Sequence, residues 1–168
     1  MKLISIFRLY SWVCLFGCFL FSGFNFLTAQ ITTNLTVYDG LPTNVVRCMH
    51  KATNGVLWIG TDAGLCSYDG RELIIFDQNN GLPNNLVWAI TESDQGEIWV
   101  GCYGGGIAYY DGSRFVDCSN NIPSKSIRTL CYENNLLHIG TDRHFIIYDG
   151  LEYFHSEDKK LFFHILLP

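Results

Sequence analysis

Between Arg8 and Asp39 the chain carries no charged residue, and nowhere does it gather positive charge. Its 168 residues hold 11 Lys and Arg against 16 Asp and Glu, a formal charge of −5. That balance argues against nucleic acid or an anionic membrane surface as a partner. Catalytic signatures are missing as well. There is no Gly-x-Ser-x-Gly and no His-Glu-x-x-His, and Gly104-Gly105-Gly106 leads into a strand, not into a phosphate-binding helix. The five histidines show no ligand spacing, and none of the seven cysteines stands in a Cys-x-x-Cys pair. Neither a metal site nor a disulfide framework can be read from those intervals. Cys48, Cys66, Cys102, Cys118 and Cys131 lie on apolar stretches and read as small buried hydrophobes. No cofactor and no metal are expected.

The uncharged N-terminal stretch reads as an export signal. Lys2 and Arg8 give it a positive start, an apolar run follows from Leu9 to Leu27, and Thr28-Ala29-Gln30 offers a cleavage point after Ala29. Residues 1–29 are therefore expected to be a signal peptide. The length of the run keeps an uncleaved membrane anchor open as the alternative, so contact with a membrane is expected only through this leader. Removing it leaves nine basic and 16 acidic residues, a charge of −7.

What the sequence has in quantity is a repeat. Gly40-Leu41-Pro42, Trp58-Ile59-Gly60-Thr61 and Tyr68-Asp69-Gly70 return as Gly81-Leu82-Pro83, Trp99-Val100-Gly101 and Tyr110-Asp111-Gly112 after a step of 41 residues. A third pass, 40 residues on and degenerate, gives Asn121-Ile122-Pro123, His138-Ile139-Gly140-Thr141 and Tyr148-Asp149-Gly150. A period of about 40–45 residues with regular turn signals marks β-propeller blades. The fold class expected is all-β, with four-stranded antiparallel blades, about three of them, in an incomplete propeller. A closed ring usually needs four or more.

The first unit divides into an inner strand at Val45–Lys51, a turn at Thr53-Asn54-Gly55, a second strand at Val56–Gly60, a third at Leu65–Tyr68 and an outer strand at Leu73–Phe76. The expected boundaries are residues 39–77, 78–117 and 118–156 for the blades. Residues 33–38 are expected to be a closing outer strand whose blade lies elsewhere, and 157–168 the truncated start of a fourth unit. Trp58 and Trp99 should fill the wedges between blades, and Gly60, Gly101 and Gly140 should allow close approach there.

Functional residues of repeat folds usually occupy loop positions that differ between units on one face. The Gly-Leu-Pro loops and the loops between second and third strands open on the same face. Equivalent positions there are Asn44, Asn85 and Lys125, then Arg47, Trp88 and Arg128, then Asp62, Tyr103 and Asp142, with Arg143 beside the last. The candidate ligand-binding residues are Arg47, Trp88, Tyr103, Arg128, Asp62, Asp142 and Arg143. A Trp between two Arg suits a sugar, above all an acidic or sulfated one: the indole stacks on the ring and the guanidinium forks hold its anionic oxygens. The plainer alternative is that Arg47 and Arg128 only neutralise nearby aspartates on a solvated rim. No catalytic residue is expected.

The repeat Gly81-Leu82-Pro83-Asn84-Asn85-Leu86-Val87, then Asp94-Gln95-Gly96-Glu97-Ile98-Trp99-Val100-Gly101, then Gly106-Ile107-Ala108-Tyr109-Tyr110-Asp111-Gly112 resembles the two-component regulator propeller repeat. The first unit matches nearly as well and the third in part. The resemblance implies the N-terminal part of a periplasmic sensor of a bacterial hybrid two-component histidine kinase. It further implies an oligosaccharide or other small ligand in the complete protein, more propeller blades as partners, and kinase output carried elsewhere. Two other readings stay open: a stand-alone secreted propeller for binding or scaffolding, and a fragment of a propeller lyase or hydrolase.

Overall fold

The computed structural model describes residues 34–155. The expected signal peptide and the expected start of a fourth unit lie outside the described residues. Twelve strands form three separate antiparallel sheets of four, each meandering in chain order. The first sheet comprises Val46–Lys51 (β1), Leu57–Thr61 (β2), Gly64–Tyr68 (β3) and Leu73–Phe76 (β4). The second comprises Val87–Glu92 (β5), Ile98–Cys102 (β6), Gly106–Tyr110 (β7) and Phe115–Asp117 (β8). Ile127–Glu133 (β9), Leu136–Thr141 (β10), Phe145–Tyr148 (β11) and Tyr153–His155 (β12) complete the third. These are propeller blades, and the sheets do not close into a ring. Among the described residues no helix is long and apolar enough to cross a membrane.

Adjacent sheets meet face to face, with the innermost strands β1, β5 and β9 in succession. The middle sheet is therefore buried on both faces: every residue of β6 is buried. The inner strand β1, expected to be sandwiched, is largely exposed instead, with Met49 at 65 % exposure. The face of the first sheet that meets the second is covered; on its other face Ile59 and Cys66 are buried with Leu41, while Met49 stays exposed. His138, which takes the place of Trp58 and Trp99, lies half-buried and stacks on Phe145, 5.9 Å away.

The glycine after each Trp has a steric reason. A Cβ on Gly60 would lie 2.9 Å from a Val87 methyl and 3.0 Å from the Val87 carbonyl, which sit on the next blade's inner strand. Gly101 admits Ile127, the equivalent residue one blade further, in the same way. Each Tyr-Asp-Gly triplet is a hairpin whose aspartate caps the turn. Asp69 accepts the amides of Arg71 and Glu72, Asp111 those of Ser113 and Arg114, and Asp149 those of Leu151 and Glu152.

Residues 33–38 do not form the expected strand. Residue 33 lies outside the described residues, and Val37–Asp39 form a 3-10 turn. The reason is local: the Thr36 side chain accepts the Tyr38 amide, and the Asp39 carboxylate accepts the Thr36 amide. The same device recurs one unit on, where Asp77 caps a turn at Gln78–Asn80 and Gly81 closes it at φ 93°. This is the standard joint between blades, and the sequence placed an outer strand over it. Cys131 also departs from expectation, since it is exposed on β9 while Cys66 and Cys102 are buried. Burial pushes the Cys66 thiol up to about 11 and the Cys102 thiol up to about 12.

Candidate ligand-binding site

Each inner strand carries a β-bulge, and the bulged residue is one of the site candidates. In the first sheet Val46 pairs with Thr61 and Cys48 with Gly60, so Arg47 is skipped. In the second, Val87 pairs with Cys102 and Ala89 with Gly101, which skips Trp88. In the third, Ile127 pairs with Thr141 and Thr129 with Gly140, which skips Arg128. A bulge releases one residue from the ladder and re-aims its side chain. Three blades thus offer three unpaired residues at the same edge, and the sequence signals them only by their variability between units.

The released side chains meet. Arg128 holds its guanidinium carbon 4.6 Å from the Trp88 ring centre and 4.6 Å from that of Tyr103. Trp88 and Tyr103 stack at 5.1 Å with 24° between their planes. Arg47 stands 5.3 Å from the Trp88 centre on the neighbouring blade. Cations held this close to aromatic rings are attracted by the ring quadrupole. Arg47 also donates through both Nε and Nη2 to the Asp62 carboxylate, at 2.6 and 2.7 Å. That forked bond holds the Asp62 carboxyl below its usual range, with burial acting weakly the other way.

Arg47, Asp62, Trp88, Tyr103 and Arg128 therefore form one ladder across three blades. Asp142 and Arg143 do not join it by direct contact. Asp142 accepts the Ser124 hydroxyl and lies 3.8 Å from Arg143. Asn44 and Asn85 prove structural: their side-chain oxygens accept the amides of Val37 and Gln78, fastening the 3-10 turns between blades. Lys125 shares neither role, though its carbonyl accepts the Gly106 amide.

The two arginines differ in availability. Arg47 spends its fork on Asp62, whereas Arg128 has no carboxylate at ion-pairing distance among the described residues. The ladder can therefore receive one anionic group at Arg128, beside an aromatic pair. No group of three or more His, Cys, Asp or Glu suited to a metal occurs among the described residues.

The fold is that of propeller blades, with the ladder at the edge where their strand-connecting loops lie. Residues 40–63 and 81–104 match the two-component regulator propeller family. These two repeats, and not the whole chain, carry the likeness to that family. Among solved structures it is similar to the extracellular domain of the hybrid two-component system BT3049 of B. thetaiotaomicron, with TM-score 0.59 and 23% identity over 78% of this chain and 19% of that one. The corresponding domain of BT4673 from the same organism gives TM-score 0.59 and 26% identity over 76% of this chain and 18% of that one. A catalytically inactive virginiamycin B lyase from Staphylococcus aureus, solved with quinupristin, shares the fold at TM-score 0.60 and 14% identity, over 71% of this chain and 44% of that one. The chain spans about a fifth of the length of the two hybrid-system domains. No curated protein matches the sequence significantly.

Proposed function

We propose that these blades are a ligand-sensing part of a two-component regulator, periplasmic in location, and that the ligand is an acidic or sulfated oligosaccharide. The observation that carries this reading is Arg128, whose guanidinium rests on Trp88 and Tyr103 with its fork uncommitted. A sulfate or carboxylate accepts that fork while the sugar ring meets the aromatic edge. The work of these residues is binding, not catalysis. Asp62, the carboxylate in the ladder, is tied to Arg47 and is not placed as a free base. Kinase output belongs outside these blades. The exposed Met49 and Ile75, on the face turned away from the second sheet, suit contact with further blades of the same sensor.

Calorimetric titration with a sulfated disaccharide tests the reading. Trp88→Ala should weaken binding by roughly 1–3 kcal/mol, a magnitude taken from aromatic stacking on nucleic-acid bases. Arg128→Ala should remove the preference for a sulfated over an unsulfated sugar, and circular dichroism should show the fold intact in both. Unchanged affinity in both variants would place the ligand elsewhere.

A further inference from the structure

At the opposite ends of the strands, by the hairpin turns, the second and third blades enclose a pocket of about 260 Å³. Trp99, Tyr109, Tyr132 and Tyr148 line it, together with Glu97 and Asp149. Among the described residues no Lys or Arg lines it. The pocket lies at the far ends of the strands from the Arg128 ladder, because β5 and β9 run from that edge to this one.

The neighbouring wedge shows why this one is open. Between the first two blades the equivalent space holds Phe76, which packs 5.6 Å from Trp58, 5.4 Å from Tyr110 and 5.4 Å from Phe115. Phe76 pairs with Leu65 on β3, and the position beside the equivalent Ile107 is Cys118, whose amide donates to the Ile107 carbonyl. A phenyl ring has become a thiol. At the turn, Val56 of the first blade packs into its wedge, and Glu97 takes its place in the second. Tyr153 replaces Phe115 and donates its hydroxyl to the Cys118 carbonyl at 2.6 Å, holding the pocket wall in place. Among the described residues the indole N–H of Trp99 is buried without a hydrogen-bond partner, and so is that of Trp58 in the filled wedge, so this feature belongs to the shared frame.

We propose that this pocket, lined by the four aromatic residues, binds a compact alkylated ammonium ion balanced by Glu97. Aromatic faces attract cations most strongly where water is excluded, and quaternary ammonium groups are held in cages of this composition. The negative rim acts in the same direction: it raises the Tyr148 hydroxyl, where burial is the leading cause and Asp149 and Glu97 add to it. A volume below the ~300–1,000 Å³ of drug-sized sites restricts the ligand to a small ion. The site is independent of the oligosaccharide reading.

Equilibrium dialysis of radiolabelled choline against the full chain tests the proposal, with the uncharged carbon analogue dimethylbutanol as competitor. Choline should bind at least about tenfold more tightly than its analogue. Glu97→Gln should weaken choline several-fold, and Cys118→Phe, which restores the ring of the first wedge, should abolish binding. Arg128→Ala should leave it unchanged. Equal competition by the uncharged analogue overturns the cation assignment, and so does the absence of choline binding at millimolar concentration. Should Cys118→Phe fail to fold, the Glu97→Gln result decides: unchanged choline affinity there would also overturn the proposal.

Discussion

The wedge between the first and second blades is filled with carbon, whereas the wedge between the second and third is lined with hydroxyls and acids around an open space. Both are built on the same frame: a Trp on the second strand, a Tyr on the third strand of the next blade, and a glycine that lets the inner strands approach. The first wedge adds Phe76, Phe115 and Val56. It is also latched at its rim, where the Glu92 carboxylate of the second blade accepts the Thr53 amide at 2.9 Å and the Thr53 hydroxyl at 2.7 Å on the first. The second wedge has Tyr132 at the position of Glu92, where its amide donates to the Thr91 hydroxyl at 3.3 Å in place of the carboxylate latch, and Cys118 where the phenyl would be. A repeat can thus hold its geometry with one frame and vary its filling. One wedge then serves stability, and the other is left free to hold something.

The largest test of this contrast lies in the two tryptophans. Trp58→Ala should cost about 3–5 kcal/mol, as for a large aromatic lost from a packed core. Trp99→Ala should cost about 1 kcal/mol less, because its neighbours already border open space and lose fewer contacts. Urea unfolding of the two variants measures the difference, and an equal or reversed order would mean that the second wedge is as well packed as the first.

Next in size is the latch. Glu92→Ala should cost at most about 1.5–3 kcal/mol, the range for hydrogen bonds to a charged group. Burial acts to raise the Glu92 carboxyl, but the Thr53 hydroxyl and amide together with His50 outweigh it, and the net direction is down. A carboxyl depressed in the folded state stabilises above its unfolded value and loses that contribution as pH falls through the folded one. The wild-type melting temperature should therefore decline in acid more steeply than that of Glu92→Ala. Parallel curves would show that the latch carries no charge-dependent stability.

A smaller effect, of opposite sign, is expected on filling the second wedge. Cys118→Phe should add about 0.5–2 kcal/mol, as cavity-filling changes commonly do. A destabilised variant would mean that Tyr148 and Tyr153, stacked 4.4 Å apart, already occupy the room.

Repeat spacing made the frame legible: every strand of the first blade begins and ends within one residue of its sequence-read place, and β4 coincides with it. What the sequence concealed has physical causes. Thr36-Val37-Tyr38-Asp39 has strand-like composition, but a side chain at each end satisfies the backbone locally and bends it into a turn. The bulges were hidden because a released residue leaves no mark in the period. The strand keeps its length while one side chain turns out of register. Arg47, Trp88 and Arg128 could still be found, since the bulge frees them from the structural repeat and their identities differ. The open wedge was legible only in hindsight: Tyr68, Tyr110 and Tyr148 each pair with the residue five positions on, which sets Cys118 where Phe76 stands, but only the packed blades show which space that position fills.

The smallest expected effect on stability lies in the Arg47–Asp62 pair at the ladder, and there the informative quantity is binding. Both groups are exposed, so Asp62→Asn should leave the melting temperature unchanged within error. The substitution removes the charge that commits the Arg47 fork and leaves a second guanidinium available beside Trp88. Affinity for a sulfated disaccharide should then rise by about two- to fivefold, the fold-equivalent of releasing an exposed ion pair. In the wild type the same release should occur as pH falls through the depressed range of the Asp62 carboxyl, and the variant should lack that dependence. Calorimetry across pH separates the two arginines: Arg128→Ala weakens binding at every pH, whereas Asp62→Asn strengthens it most at neutral pH. If Asp62→Asn weakens binding instead, the forked pair is itself part of the recognition surface and Arg47 must be presented by Asp62 rather than sequestered by it.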